Sequence, residues 1–307
     1  MSAEFGEVKL AIIGGSGLYS LDNLKVLGEV YPNTPWGFPS DKITICETAQ
    51  GTKVAFLPRH GKGHFWTPSE VPARANIAAL KHLGVRAIVA FSAVGSLREE
   101  LVPTHFVLPD QIIDRTKGVR PSTFFEGGIV GHVGFADPFH APLARLIGRR
   151  AEEVLVNSRI HRGRTLVCME GPAFSTRAES TMYRAWGGDV INMSVLPESK
   201  LAREAEIAYQ MVCMCTDYDC WRQHEEAVNV ETVMKTMEAN KENAKRLCEA
   251  FLPDLEEAVN TGMFEGKPFL AGIEGAAKFA VMTSPDKVSP QAAAKIAFLH
   301  PNYKYMA

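Results

Sequence analysis

Short apolar runs rich in β-branched residues alternate along this chain with longer stretches whose apolar positions recur at helical spacing. The runs at 9–13, 43–47, 53–57, 87–91, 106–109, 165–169, 189–193 and 207–215 read as strands. The pattern predicts helices near 71–84, 140–157, 175–187, 196–205 and 230–252. Strand and helix in alternation point to an α/β fold. The helix near 175–187 opens with Thr176-Arg177-Ala178-Glu179. That is the spacing of a capping box, in which a threonine hydroxyl and a glutamate carboxylate satisfy exposed backbone donors. Val230, Val233, Met234, Met237, Leu247, Cys248, Phe251 and Leu252 fall on helical spacing in the last helix. No internal repeat interrupts the pattern, and the proline-punctuated tail from 285 to 307 reads as an appendage.

Strand 207–215 is apolar on both faces and runs directly into Thr216-Asp217-Tyr218-Asp219. Ligands in open α/β sheets collect outside the carboxyl ends of strands, so two carboxylates there are placed to meet one. Other strand ends carry complementary chemistry. Strand 9–13 leads into Gly14-Gly15-Ser16-Gly17-Leu18-Tyr19, which is either an anion-binding turn built from backbone N–H groups or a tight structural turn. A dinucleotide fingerprint fails because its third glycine is Ser20, and no Walker loop exists. Strand 53–57 leads into Pro58-Arg59-His60-Gly61-Lys62-Gly63-His64, where an arginine fork suits two phosphate oxygens. Strand 87–91 ends in Ser92-Ala93-Val94-Gly95-Ser96-Leu97. Anion ligands without a metal motif favour free phosphate over a nucleoside triphosphate with magnesium.

Composition narrows the setting. With 307 residues and 46% hydrophobic content, the chain can bury one large core. A net charge of −2 argues against a nucleic-acid partner. No 18-residue apolar stretch and no signal-like amino terminus are present, so the expectation is no membrane partner and a cytoplasmic location, with the nucleus left open. The six cysteines form no CxxC and sit mostly in apolar runs, which predicts reduced, buried thiols and no metal.

Six segments in order, 14–19 (GGSGLY), 58–64 (PRHGKGH), 92–100 (SAVGSLREE), 170–180 (EGPAFSTRAES), 191–198 (INMSVLPE) and 216–224 (TDYDCWRQH), resemble the 5′-methylthioadenosine phosphorylases, a branch of the trimeric purine nucleoside phosphorylases. The resemblance spans about residues 8–284. It implies a single nucleoside phosphorylase-like α/β domain with a central mixed β-sheet flanked by helices. It also implies phosphorolysis of 5′-methylthioadenosine to adenine and 5-methylthioribose 1-phosphate, with inorganic phosphate as co-substrate and no cofactor. The implied phosphate site is Ser16, Arg59, His60, Ser92, the backbone of Ala93, and Ser194. Met193, Asp217, Tyr218 and Asp219 are the implied nucleoside contacts, with Phe174 and Ser175 shaping the ribose and base site. His64 lies near the 5′ group, and Val230 sets specificity for it, with Val233 and Met234 on the same helix face. In a homotrimer, His132 and Met282 come from the adjacent subunit. The chain departs from its relatives at Ala173, where many carry arginine, and in having serine rather than threonine at 16, 92 and 194.

Chemistry assigns roles to these residues. Glycosidic cleavage leaves positive charge on the ribose and negative charge on the purine. Phosphate held against the ribose favours the first, and an acid at N7 of adenine relieves the second. Asp217 is expected to serve N7 and Asp219 to orient the 6-amino group, although the two roles can be shared or exchanged. Asp217 then needs a raised pKa from burial and its neighbour. A 6-oxopurine presents an acceptor to these carboxylates, so a phosphorylase of 6-oxopurine nucleosides or of 5′-methylthioinosine is the alternative enzyme. A non-catalytic nucleoside-binding protein is the alternative class.

Overall fold

The computed structural model describes residues 5–15, 24–222 and 229–305, the side chain of Thr232 excepted. Its strands are β1 (Leu10–Gly14), β2 (Lys25–Val30), β3 (Ile43–Glu47), β4 (Lys53–Pro58), β5 (Ala87–Ser96), β6 (Phe106–Asp114), β7 (Ile160–Cys168), β8 (Val190–Asn192) and β9 (Ala208–Asp217). Six helices are described with them: α1 (Ala73–His82), α2 (Ala141–Val154), α3 (Arg177–Ala185), α4 (Val195–Glu204), α5 (Val230–Thr261) and α6 (Pro290–Leu299).

These nine strands form one mixed sheet in the order β2-β3-β4-β1-β5-β8-β7-β6-β9, with β9 also pairing with β5, and a separate short hairpin pairs Met263–Phe264 with Lys267–Pro268. Half of the sheet therefore closes on itself as a ring of β5, β8, β7, β6 and β9. Strands β4, β1, β5 and β9 run parallel, so their carboxyl ends share one edge. Period-two alternation divides their side chains between two layers. Ala11 and Ile13 of β1, with Met211 and Cys213 of β9, belong to the core that includes residues of α1, α4 and α6. Leu10 and Ile12, with Val212 and Met214, belong to the core on the α2 and α5 side. Helices on both faces bury this sheet, which is why its central strands are apolar throughout.

Three elements differ from the expected pattern. Strand β2 is an edge strand with exposed positions, and its pairing with β3 shifts register between Val26 and Gly28, so it carries no apolar alternation to read. Strand β5 extends to Ser96 because its last residues pair with β8 and β9 in the ring. Helix α5 does not stop before Pro253 but runs to Thr261, with Leu255, Ala258 and Val259 buried beyond the proline. Packing of that stripe overrides the local cost of the proline. In the tail, Val288, Ala292, Ile296 and Leu299 join the same core as α1. All six cysteines are free thiols, and only Cys220 is not fully buried.

Candidate functional site

The shared carboxyl edge of the parallel strands opens into a cavity of about 850 Å³. Around it stand Arg59, His60, His64, Ser92, Ala93, Phe174, Met193, Ser194, Asp217, Asp219, Val230, Val233 and Met234. These residues come from the ends of β4, β5, β8 and β9, the 170–175 loop and the first turn of α5. Ser16 lies outside the described residues.

Four expected residues do not line the cavity. Ser175 sits behind it, its hydroxyl directed at the Met169 sulfur at 3.5 Å and its carbonyl accepting from the Cys220 thiol at 3.1 Å. Tyr218 is turned toward Glu99, donating to its carbonyl at 3.2 Å, with the Arg222 guanidinium 3.5 Å from its ring centre. His132 and Met282 lie together on the surface. The His132 N–H donates to the Ala280 carbonyl and the Met282 N–H to the Val130 carbonyl, both at 2.8 Å, around a bridge between Gly131 and Val281. Met282 is 72% exposed and nearby Phe279 87%. Ala173 is also exposed, so the missing arginine leaves no buried gap.

At one end of the cavity the polar groups are tied to one another. The Asn192 amide donates to Ser92 Oγ at 3.1 Å and to Ser194 Oγ at 3.2 Å, and the two hydroxyls are themselves 3.1 Å apart. Asn192 occupies an oxygen lone pair on each serine, while the Ser92 hydroxyl donates to the Ala93 carbonyl at 2.9 Å. Arg59 is buried, with its Nε and Nη2 groups donating to the two Glu198 oxygens at 2.8 and 3.0 Å. Its Nη1 donates to the Phe91 carbonyl at 2.9 Å. A Cβ on Gly15 would fall 2.7 Å from that Nη1, so only glycine lets β1 pass beneath the guanidinium. His60 Nδ1 lies 2.9 Å from the Trp66 carbonyl, and the ring stacks on His64 at 4.3 Å. Burial, reinforced by the Arg59 charge, lowers the His60 pKa to about 4. The ring is therefore neutral near pH 7, with its proton on Nδ1 and an acceptor at Nε2.

At the other end stand two acids. Asp217 Oδ2 accepts from the Thr216 hydroxyl at 2.6 Å and Oδ1 from the Asp219 N–H at 2.8 Å. Burial nevertheless raises the Asp217 pKa, outweighing both hydrogen bonds, and the Asp219 charge adds to the rise. Burial raises Asp219 too. Asp219 takes a left-handed backbone, φ 51°, a conformation aspartate tolerates better than bulky residues. A Cβ on Gly95 would lie 3.1 Å from Asp217 Oδ1 and 3.3 Å from Asp219 Cβ, so any larger residue there would press the acids back by a few tenths of an ångström.

Asn192 and Glu198 were not singled out from sequence. A buried amide in a strand of apolar residues was the available signal for Asn192. Among the described residues, no group of three or more His, Cys, Asp or Glu could hold a metal.

The sequence profile of the phosphorylase superfamily matches residues 9–253. The chain belongs to this family. It is 56% identical to the S-methyl-5′-thioadenosine phosphorylase of Neurospora crassa over 300 residues, covering 97% of this chain and 96% of that one. Its structure is similar to that of a methylthioadenosine phosphorylase from an antarctic soil metagenomic library, with a TM-score of 0.85, 43% identity, and 95% of this chain and 99% of that chain covered. The Schistosoma mansoni methylthioadenosine phosphorylase in complex with adenine gives a TM-score of 0.79 at 33% identity, covering 89% and 99% of the two chains. The superfamily's nucleoside phosphorylase-like α/β fold is the one described above.

Proposed function

We propose that this protein is an S-methyl-5′-thioadenosine phosphorylase. The observation that carries the reading is the division of one cavity into a donor-rich anion end and an end with two half-buried acids of raised pKa. Relatives and structural neighbours bearing that name support it.

In this reading, phosphate lies against Arg59, His60, Ser92, the Ala93 backbone and Ser194, and Ser16 contributes from the glycine-rich turn. A phosphate oxygen attacks C1′ of the ribose as the bond from C1′ to N9 breaks. Asp217 gives a proton to N7, so adenine leaves neutral, and Asp219 accepts from the 6-amino group. The products are adenine and 5-methylthioribose 1-phosphate. Met193 and Phe174 flank the nucleoside, with Ser175 supporting that wall. Val230, Val233 and Met234 form the apolar side for the methylthio group, near His64. Tyr218 acts by holding the strand end rather than by touching substrate.

The partners are the nucleoside and phosphate, no cofactor takes part, and the setting is the cytoplasm, with the nucleus also open. The chain works as a homotrimer in which His132 and Met282 reach the adjacent subunit's cavity. The exposed apolar surface around Phe279 and Met282 supports that arrangement.

The test is adenine release from 5′-methylthioadenosine with and without phosphate, beside inosine and 5′-methylthioinosine, on material weighed by sedimentation. The expected outcome is phosphate-dependent adenine release, little turnover of the 6-oxopurines, and the mass of three chains. Phosphate-independent release overturns the anion site, and preference for inosine overturns the roles of the acids.

A further inference from the structure

Three side chains beneath the anion end form a buried unit. Arg59, Glu198 and Tyr209 are 2%, 3% and 3% exposed. Glu198 takes both arms of its carboxylate to Arg59, and the Tyr209 hydroxyl donates to Glu198 Oε1 at 2.6 Å. Each member comes from a different element: Arg59 follows β4, Glu198 lies in the first turns of α4, and Tyr209 stands in β9. An ion pair taken this far out of water is a weak source of stability, because desolvation offsets most of its Coulombic attraction. Its geometry, by contrast, is specific. Two parallel N–H···O bonds fix the guanidinium plane, and the Phe91 carbonyl fixes its third edge.

We propose that Glu198 is a positioning residue for phosphate, acting through Arg59, with Tyr209 locking the carboxylate. This rests on reading the cavity as a phosphate site. Ser194 and Glu198 are four residues apart, so one short segment sets both a hydroxyl at the anion and the carboxylate that aims the arginine. Glu198 also offsets the arginine charge. Recognition of phosphate then depends on the direction of hydrogen bonds more than on net positive charge.

Glu198→Gln keeps the side chain's shape but sets an amide N–H₂ against a guanidinium N–H, breaking the paired contact. Tyr209→Phe removes only the lock. Two readouts apply: KM for phosphate against KM for 5′-methylthioadenosine, and the rise in melting temperature caused by inorganic phosphate without nucleoside. Expected for Glu198→Gln is a phosphate KM raised about tenfold, a nucleoside KM within about twofold of the parent, and loss of the phosphate-induced thermal shift. Tyr209→Phe should move phosphate KM the same way, by about threefold. Parallel rises in both KM values, or an unchanged phosphate KM, overturn the proposal. If Glu198→Gln does not fold, Tyr209→Phe decides by the same criterion. A parent protein that is stabilised by phosphate yet turns over no 5′-methylthioadenosine refutes the reaction alone, and the thermal shift then still judges Glu198.

Discussion

At the anion end of the cavity, side chains hold one another: Asn192 holds two serines, Glu198 holds Arg59, and the Trp66 carbonyl holds His60. At the base end, by contrast, Asp217 and Asp219 stand half-buried as a pair of acids, and the hydrogen bonds to Asp217 do not offset the cost of desolvating its charge. The first arrangement is held in place and close to neutral before any anion arrives. The second stores a proton more readily than an ordinary aspartate does. In the proposed reading, binding and proton transfer fall to opposite ends of one cavity, and each end should fail in its own way.

The sharpest test of that division is Asp217→Asn, which keeps size and removes the acid. Turnover of 5′-methylthioadenosine should fall about 10²–10⁴-fold in steady-state assays, while phosphate KM stays near the parent value. A similar loss in phosphate KM would erase the distinction between the ends. Asn192→Ala should act on the other side alone: with both serine hydroxyls released, phosphate KM should rise about tenfold and nucleoside KM change little.

The smallest effect expected is in pH-dependent stability, where the ends have opposite signs. His60 is depressed from 6.5 to about 4, so its stabilising contribution is complete above about pH 6.5 and is lost as pH falls through 4. That contribution amounts to ~3 kcal/mol at most. Asp217 and Asp219 are raised, so their contribution is complete below the usual carboxylate range and is lost as pH rises through their folded values. Melting curves from pH 4 to 8 should therefore show His60→Gln gaining on the parent toward acid and Asp217→Asn gaining on it toward base. Two parallel curves would remove the electrostatic contrast.

The sequence made the strand ends legible because their chemistry is local. Arg59-His60 after β4, Ser92 within β5 and Asp217-x-Asp219 after β9 are each visible within a few residues, and all line one cavity. The capping box at Thr176 and Glu179 likewise forms as spaced. What escaped is non-local. Glu198 meets Arg59 across 139 positions, and Asn192 meets Ser92 across 100. Neither periodicity nor a short motif reports such a partner. The edge strand β2 and the last turns of α5 were missed for a related reason, since neighbours rather than local pattern decide them.

Closure of the ring has a further consequence for the acids. Strand β9 lies between β5, which runs parallel to it, and β6, which runs antiparallel, pairing Phe106 with Met214 and Val107 with Cys213. A slip of one residue would exchange the faces of every side chain on β9 and turn the acids away from the cavity. Such a slip must break two ladders of opposite sense at once. The two ladders thus index β9 up to Cys215, and beyond it the pairing with β5 shifts register between Val94 and Gly95, which sets Asp217 opposite Gly95.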